Sequence, residues 1–417
     1  MSIVNVTLEE ILCARDTRAA SQQRLLDAHH MPLISFTMNI AGPVKRTPLV
    51  ELAFDAGLKE LQAALGQPIA AKVIRPHTGC EALLVYDRPA AELKAACLKL
   101  ETAAPVGRLY DLDVLDVEGK KLSRPCQRTC LICGAPVTAC SRSRAHGLEA
   151  ITARTDEILT DFAAGFLASL AAEALEQEVR LTPKPGLVDQ RNTGAHSDMD
   201  LPLFLRSIDA LTPYFRQITA LSLSGADAAA LQATGLEAEV AMFRATGGVN
   251  THKGALFSLS VLLAALGRYL MEGGDVFTYA AALAAELTPP QNTHGAAVAE
   301  RYQVGGARAE AMAGFPTVRQ AAALLEHHDP LTVFLWLMAH TEDSNLYHRG
   351  GAEGAAFVKQ QAAAILQAPP ENRPAQAEAL DQALIVRKLS PGGCADLLAL
   401  ALFLRMLPAG LTSQCLL

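Results

Sequence analysis

The chain has 417 residues, of which 50% are hydrophobic, 19% charged and 5% aromatic. This composition excludes an intrinsically disordered chain, and the length allows two or three domains. The net charge of −7 is unevenly divided, since residues 1–150 carry +2 and the rest carry −9. No run reaches the roughly 18 apolar residues of a membrane span, and no secretory signal precedes residue 16. We therefore expect a cytoplasmic protein that does not bind membranes.

The first 120 residues mix extended and helical patterns. Apolar, β-rich runs at 33–40, 82–86 and 108–117 predict strands, whereas helical spacing at 49–65 and 90–101 predicts helices. These patterns indicate an N-terminal α/β or α+β domain, which we assign to residues 1–152.

Strand patterns nearly vanish after residue 155. Ile158, Phe162, Phe166 and Leu170 recur at every fourth position, which predicts a long helix that ends before the prolines at 183 and 185. Further helices are predicted at 201–220, 227–245, 254–272, 276–287, 318–327, 330–341, 353–367, 374–386 and 393–406. We therefore expect an all-α C-terminal domain over residues 153–417.

The nine cysteines fall into two groups. Disulfides are disfavoured in the cytoplasm, so the scattered group is predicted to consist of small core residues: Cys13, Cys80, Cys97, Cys394 and Cys415. The other group lies within residues 126–140. Together with His146, Cys130, Cys133 and Cys140 form a Cys₃His set that could bind structural zinc tetrahedrally. Reduced cysteines packed in a small loop are an equally good explanation.

Residues 119–148 contain lysines and arginines but no carboxylate: Lys120, Lys121, Arg124, Arg128, Arg142 and Arg144. Such a patch suits a phosphate-rich small molecule or an acidic protein surface. It is too short and too poor in aromatic residues to indicate nucleic acid binding. A solvated basic loop remains the alternative.

Polar residues are concentrated between the predicted helices of the second half. The first such connection, at residues 183–200, carries Asp189, His196, Asp198 and Asp200. Oxygen-rich clusters of this kind suit Mg²⁺ carrying nucleotide phosphates. The alternative is that Asp198 or Asp200 caps the helix that begins near residue 201.

Two further connections combine glycines with polar side chains. Residues 246–254 (TGGVNTHKG) enter a helix, where backbone N–H groups and Lys253 could hold phosphate oxygens. They do not form a Walker A loop. Residues 342–351 bring Asp343, Asn345 and Arg349 together with two glycines. All three connections together favour an active site over a plain helical bundle.

In the first half, the most informative string is Asp111-x-Asp113 within the predicted strand 108–117. Alternation along a strand places both carboxylates on one face and Tyr110, Leu112 and Val114 on the other. A pair of this kind can hold divalent metal against a leaving pyrophosphate.

The second half resembles the triphosphoribosyl-dephospho-coenzyme A synthase family. The resemblance rests on EVRLTPKPGLVDQRNTGAHSDMD (178–200), MFRATGGVNTHKGALFSL (242–259), GARAEAMAGFP (306–316), DSNLYHRGG (343–351) and LSPGGCADLL (389–398). It implies that ATP and 3′-dephospho-CoA are the substrates, that ribose C1 of ATP is transferred to a ribose hydroxyl of the acceptor, and that adenine leaves.

The chemistry of this reaction suggests roles for the polar residues. Carboxylates can stabilise an oxocarbenium-like ribose, and a proton carrier can assist both adenine and the acceptor hydroxyl. We expect Asp189, Asp198 and Asp343 to hold Mg²⁺ or face the ribose, and His196 or His252 to carry the proton. The expected nucleotide-binding residues are Lys184, Asn250, Lys253, Asn345 and Arg349. Asp343→Asn is expected to abolish adenine release without unfolding the chain.

The first half resembles the apo-citrate lyase phosphoribosyl-dephospho-coenzyme A transferase family. The matching segments are ARDTRAASQQRLL (14–26), LISFTMNIAGPVK (33–45), GRLYDLDVLD (107–116) and RTCLICGAPVTACSRSRAHGL (128–148). The resemblance implies a nucleotidyltransferase-like domain that modifies the acyl carrier subunit of citrate lyase and releases pyrophosphate. Asp111 and Asp113 are then the catalytic metal ligands, with Arg15, Arg18, Lys45 and Arg108 as phosphate contacts. Arg18 is equally well explained as an ordinary helix-surface residue.

Together, these resemblances predict a bifunctional enzyme that makes the citrate lyase prosthetic group and then attaches it. The alternatives are the analogous pair of activities for malonate decarboxylase and a non-catalytic scaffold that binds an acyl carrier protein.

Overall fold

The computed structural model describes residues 4–288, 301–302, 304–408 and 410–411. The chain divides into two compact units, Met1–Ala163 and Ala164–Leu417. The division falls inside one long helix, Leu148–Arg180, and the sequence-based boundary after residue 152 lies earlier in the same helix.

The first unit is built on a four-stranded antiparallel sheet with strand order β2-β3-β1-β4. Its strands are Leu33–Met38 (β1), Ala70–Ile74 (β2), Glu81–Val85 (β3) and Tyr110–Leu115 (β4). Its helices are Leu8–His29 (α1), Pro48–Leu65 (α2), Ala90–Ala103 (α3) and Val137–Ser143 (α4), with a 3₁₀ turn at Pro105–Leu109. The predicted mixture of strands and helices is therefore confirmed.

The core of this unit forms where α2 packs on the sheet. Thr47 caps α2, and Pro48 occupies its first turn, where a missing N–H costs no hydrogen bond. The rings of Phe36 and Phe54 stack with centroids 4.7 Å apart, and the buried Tyr110 hydroxyl donates to the carbonyl of residue 53 over 3.1 Å. These contacts fix β4, the strand that carries the D-x-D pair, against the core.

The second unit is helical in the residues that the structure describes. After α5 (Leu148–Arg180), its helices are Leu201–Leu223 (α6), Ala228–Ala245 (α7), Lys253–Glu272 (α8), Val276–Glu286 (α9), Gly306–Met312 (α10), Pro316–Leu324 (α11), Pro330–His340 (α12), Ser344–Leu366 (α13), Arg373–Arg387 (α14) and Gly392–Met406 (α15). The predicted helices are present. α10 was not predicted, and α13 begins earlier than expected and is interrupted at Gly351, where φ is 63°.

Helix α8 lies at the centre of the second unit, packed on α6, α7, α9 and α15. By length and composition, α5 and α8 could each cross a membrane. The absence of a long uninterrupted apolar run in the sequence did not predict this. However, 72% of the apolar window of α8 and 56% of that of α5 are buried within the protein. A helix enclosed by its neighbours is apolar for the same reason as a membrane span.

The scattered cysteines follow the prediction except at one position. Cys80, Cys97 and Cys394 are buried, whereas Cys13 is exposed on α1, so the prediction was wrong for Cys13. Burial raises the pKa of the Cys80 and Cys97 thiols to about 12. Cys415 lies outside the described residues.

Candidate active sites

The D-x-D pair lies on the accessible face of β4. Tyr110, Leu112 and Val114 are buried, whereas Asp111 and Asp113 alternate with them and are half-buried. β4 is an edge strand paired with β1. The two carboxylates therefore share one face, as alternation predicted.

Both carboxylates lie close to cations from residues 119–148, the basic segment. Lys121 Nζ is 2.5 Å from Asp113 Oδ2, and Arg128 Nη2 is 3.5 Å from Asp111 Oδ1. The lysine side chain is 61% exposed. The basic segment therefore runs along the strand that carries the acids.

Glu101 was not identified from the sequence, yet it anchors this arrangement. It is 3% exposed, and its Oε1 accepts hydrogen bonds from the Leu112 N–H (3.0 Å), from Arg128 (2.7 Å) and from Arg124. Two arginines of the predicted patch thus have internal partners. The exposed remainder is Lys120, Lys121, Arg142 and Arg144.

Among the residues that the structure describes, the other predicted phosphate contacts of this unit also have intramolecular partners, except for the exposed Arg15. Arg18 forms a 2.6 Å ion pair with Glu81. Lys45 Nζ donates to the carbonyl of residue 40 over 2.6 Å, and burial lowers its pKa. Arg108 donates to the carbonyl of residue 129 in the basic segment. Of these predicted contacts, Arg108 is therefore the one that is hydrogen-bonded to the basic segment.

The cysteine–histidine set is assembled in space. Cys133 Sγ lies 3.4 Å from Cys140 Sγ and 3.3 Å from His146 Nε2. With Cys130, the four ligand atoms all lie within 4.8 Å of one another. These residues could hold a metal ion.

In the second unit, the loop after α5 is shaped by buried charges. Lys184 is 2% exposed, and its Nζ forms a 2.7 Å ion pair with Glu178. Asp189 Oδ1 accepts from the N–H groups of residues 191 (2.7 Å) and 192 (3.0 Å), and Oδ2 accepts from that of residue 184 (3.3 Å). Both predicted site residues therefore order this loop.

Asp381, which lies on α14, accepts hydrogen bonds from the same loop. It was not identified from the sequence. Its Oδ1 accepts from the Gly186 N–H (2.9 Å), and its Oδ2 accepts from the Asn192 side-chain amide (2.8 Å). The separations of 195 and 189 residues explain why no local pattern revealed it.

His196 and Arg349 meet at the rim of the loop. An Arg349 N–H donates to His196 Nδ1 over 3.2 Å, so the ring proton is on Nε2, 2.8 Å from Ser390 Oγ. Burial and the Arg349 charge lower the pKa of His196 to about 4. Asp198, 59% exposed, lies 3.8 Å from Nδ1. Asp200, in contrast, caps α6 by accepting from the N–H of residue 203, which confirms the capping alternative for Asp200.

His252 lies at the start of α8 and is 3% exposed. The Thr251 hydroxyl donates to Ser207 Oγ (2.7 Å), which lies 2.8 Å from His252 Nδ1. Ser207 then donates to Nδ1, and the ring proton is on Nε2. Among the described residues, Nε2 has no hydrogen-bond partner. Burial, together with the nearby Lys184, lowers the pKa of His252 to about 3.

The neighbouring Asn250 and Lys253 are more accessible than His252. Asn250 Oδ1 accepts from the Lys253 N–H over 3.2 Å, and Lys253 Nζ lies 2.5 Å from Glu239. The Lys253 side chain is 37% exposed. Lys253 is therefore accessible to a ligand, unlike Lys184.

Asp343 lies between the starts of two helices. Its Oδ1 accepts from the N–H of Asn345 on α13 (2.8 Å), and its Oδ2 accepts from that of Cys394 on α15 (2.9 Å). Burial raises the pKa of Asp343. Asp396, two residues beyond Cys394, has its pKa raised well above the usual range by burial and by the carboxylates of Glu178 and Asp343. The predicted Asp343 thus belongs to a cluster of three acids, two of which lay in the matching segments without an assigned role.

Comparison with known proteins follows the same division of the chain. Residues 6–162 match the family apo-citrate lyase phosphoribosyl-dephospho-CoA transferase, and residues 164–414 match ATP:dephospho-CoA triphosphoribosyl transferase. "Protein CitXG" from Haemophilus influenzae is 36% identical over 95% of this chain and 96% of its own length. The chain belongs to the CitXG family.

Relatives of the C-terminal half of this chain occur as separate proteins. One from Salmonella choleraesuis, named "Probable 2-(5''-triphosphoribosyl)-3'-dephosphocoenzyme-A synthase 1", is 40% identical over 62% of this chain and 97% of its own length. A similarly named protein from Pseudomonas putida is 41% identical over 58% of this chain and 94% of its own length. The chain is thus a transferase of citrate lyase prosthetic group biosynthesis that combines two enzyme families.

Proposed function

We propose that the second unit joins ATP to 3′-dephospho-CoA and releases adenine, giving 2′-(5″-triphosphoribosyl)-3′-dephospho-CoA. The first unit then transfers the phosphoribosyl-dephospho-CoA group to a serine of the citrate lyase acyl carrier subunit. In that step, the serine oxygen bonds to the α-phosphorus and pyrophosphate leaves. The end-to-end similarity to a fused protein carries this proposal. The match of residues 6–162 to the citrate lyase family favours it over the malonate decarboxylase alternative.

The acid cluster of the second unit is suited to a divalent cation. The pKa of the buried Asp396 is raised first by burial and then by the carboxylates of Glu178 and Asp343, and a bound cation would stabilise the charged form of Asp396. Mg²⁺ supplies neutralisation of the triphosphate charge when it is bound. Asp189 and Asp343 already accept backbone hydrogen bonds, so we assign them to shaping this site and to offering their remaining lone pairs.

Cationic and neutral side chains complete the nucleotide site in this proposal. Lys253 and Arg349, which are accessible, bind the triphosphate, and Asn250 and Asn345 border them. Lys184 acts from within, by holding Glu178 in place. His252 keeps one proton at neutral pH and offers its Nε2–H, which has no partner within the described part of the chain, to the departing adenine. His196, which is oriented by Arg349, accepts or donates a proton at the rim of the loop.

In the first unit, Asp111 and Asp113 are the proposed Mg²⁺ ligands of a nucleotidyltransferase-like site. Their present partners, Lys121 and Arg128, are cations that phosphate oxygens and metal would draw away or replace. Arg15, Lys45 and Arg108 are retained as phosphate contacts. The exposed lysines and arginines of residues 119–148 receive the carrier subunit, and Cys130, Cys133, Cys140 and His146 are the structural zinc candidates.

Two assays separate the activities. The purified chain is incubated with ATP, Mg²⁺ and 3′-dephospho-CoA, and adenine is followed by chromatography. Apo acyl carrier subunit is then added and its mass measured. We expect adenine first and a mass increase of one phosphoribosyl-dephospho-CoA group second. Failure to release adenine would leave the scaffold alternative standing, and an unchanged carrier mass would refute the transferase half alone. Recovery of the chain in the cytoplasmic fraction is also expected.

A further inference from the structure

Residues 116–150, which follow strand β4, are folded without a hydrophobic core. Every one of them is exposed or half-buried. Nevertheless, the segment contains helix α4, a β-bridge between Thr129 and Pro136, and a 2.6 Å hydrogen bond from the Cys130 N–H to the carbonyl of residue 135. A segment that buries so little apolar surface requires a cross-link to remain folded.

The spacing of the cysteine–histidine set fits such a cross-link. Around tetrahedral zinc, sulfur and nitrogen ligands bonded at about 2.3 and 2.0 Å are separated by about 3.5 to 3.8 Å. The observed separations of 3.3 Å (His146 to Cys133) and 3.4 Å (Cys133 to Cys140) lie close to these values, and all four ligand atoms fall within 4.8 Å of one another. The ligand atoms are therefore already arranged around a common centre.

The backbone around Cys130 reverses direction, as a metal-binding turn requires. The Ile132 N–H donates to Cys130 Sγ over 3.4 Å, and the Gly134 N–H donates to the Cys130 carbonyl over 3.2 Å. Gly134 has φ of 73°, which favours glycine. This turn returns Cys133 to the side of Cys130.

We propose that Cys130, Cys133, Cys140 and His146 bind one structural zinc ion that holds the basic segment against the D-x-D strand. Arg128 immediately precedes the site. It donates to the Tyr110 carbonyl (2.5 Å) and to Glu101 (2.7 Å), and lies 3.5 Å from Asp111. Arg128 thus acts as a positioning residue for Asp111, and its own position depends on the zinc ion. The consequence for catalysis rests on the function proposed for the first unit, whereas zinc binding does not.

A disulfide between Cys133 and Cys140 is the competing cross-link. It would join two sulfurs at about 2.05 Å and would give Cys130 and His146 no role. A disulfide also requires an oxidising environment, which the cytoplasm does not supply. The convergence of four ligand atoms, rather than two, favours the metal.

The test compares matched cysteine variants of the full-length chain. Zinc content is measured by elemental analysis for the wild type, Cys133→Ser, Cys140→Ser, the conservative variant His146→Cys and the control Cys126→Ser. Cys126 is exposed in the same segment but outside the set. We expect about one zinc per chain in the wild type, Cys126→Ser and His146→Cys, and about one tenth of that or less in the other two.

Two further readouts follow the consequences of metal loss. Limited proteolysis should cleave residues 116–150 faster in the zinc-free variants. Transfer to the carrier subunit should fall about tenfold or more, while adenine release, which belongs to the other unit, should not change. The proposal would be overturned if the wild type bound no zinc after zinc had been supplied, or if Cys126→Ser lost as much zinc as the variants of the set. A Cys133–Cys140 disulfide in freshly isolated protein would also overturn it. Stoichiometric zinc without any transfer in the wild type would instead refute the function proposed for the first unit.

Discussion

Asp343 and Cys394 are joined directly, because Asp343 Oδ2 accepts a 2.9 Å hydrogen bond from the backbone N–H of Cys394. The same carboxylate caps α13 through its other oxygen. One buried side chain thus ties the starts of α13 and α15 together.

This link changes what Asp343→Asn should do. An asparagine presents an NH₂ group where one of the two helices needs an acceptor, so we now expect destabilisation of about 1–3 kcal/mol in addition to lost adenine release. Urea denaturation measures the first effect, and chromatography of adenine the second. Asp198→Asn, at an exposed position, is the control and should stay within about 0.5 kcal/mol of wild type. Wild-type stability of Asp343→Asn would contradict the capping role.

Replacement of Lys184 should destabilise the fold far more than replacement of Lys253. Lys184→Ala leaves Glu178 as an unpaired buried charge beside other acids, at a cost of about 3–5 kcal/mol. Lys253→Ala breaks a partly exposed pair with Glu239, which costs about 1 kcal/mol or less. Denaturant titration of both variants tests this difference.

The role of Lys253 in nucleotide binding is tested by measuring adenine release. Lys253→Ala should remain folded but bind ATP weakly, so KM for ATP should rise about tenfold. An unchanged KM in a stable Lys253→Ala variant would remove Lys253 from the nucleotide site.

The stability of the second unit should decrease as the pH falls below about 6.5. The folded chain holds His252 neutral, with a pKa of about 3, whereas an unfolded histidine takes up a proton near pH 6.5. The stabilisation is therefore complete above pH 6.5 and is lost as the pH falls towards 3, by about 2 kcal/mol at pH 5. Urea titrations between pH 7.5 and 5 give the free energy of unfolding at each pH. This free energy should depend less steeply on pH in His252→Gln than in the control His328→Gln, which changes an exposed histidine. Equal slopes would refute a buried neutral His252.

Asp111→Asn and Asp113→Asn should separate the two activities. Transfer to the carrier subunit should fall about 100-fold, because each change removes a proposed metal ligand. Adenine release should be unaffected. The control is Asp116→Asn, since Asp116 Oδ1 accepts turn hydrogen bonds from the N–H groups of residues 118 and 120, which asparagine can also accept. Loss of both activities in Asp111→Asn would indicate misfolding or a shared site.

Local patterns predicted most elements of both units, because local physics determines them, but they did not predict α1, α4, α10 or β2. Alternation correctly placed Asp111 and Asp113 on one face of β4, and two prolines correctly ended α5 before residue 182. β2 escaped prediction because it is a short edge strand without a buried face. Its residues are ordered by their partner β3 rather than by their own sequence.

Charge partnerships could not be predicted in the same way. Asp381 and Gly186 are 195 residues apart, and Glu101 meets Arg128 across 27 residues. Nor does spacing distinguish a lysine that binds phosphate from one enclosed with an acid, as the contrast between Lys253 and Lys184 illustrates. Such distinctions depend on burial, which only the assembled fold determines.

The approach of Asp396 to the start of α8 has a consequence for how this chain can change. A methyl group at Gly254 would lie 2.0 Å from Asp396 Oδ2, closer than atoms tolerate. A side chain at 254 therefore requires Asp396 to move or to be replaced, whereas Asp396 can be replaced while residue 254 remains glycine. An engineer who wishes to alter the proposed nucleotide site can therefore change position 396 first, and position 254 only after it.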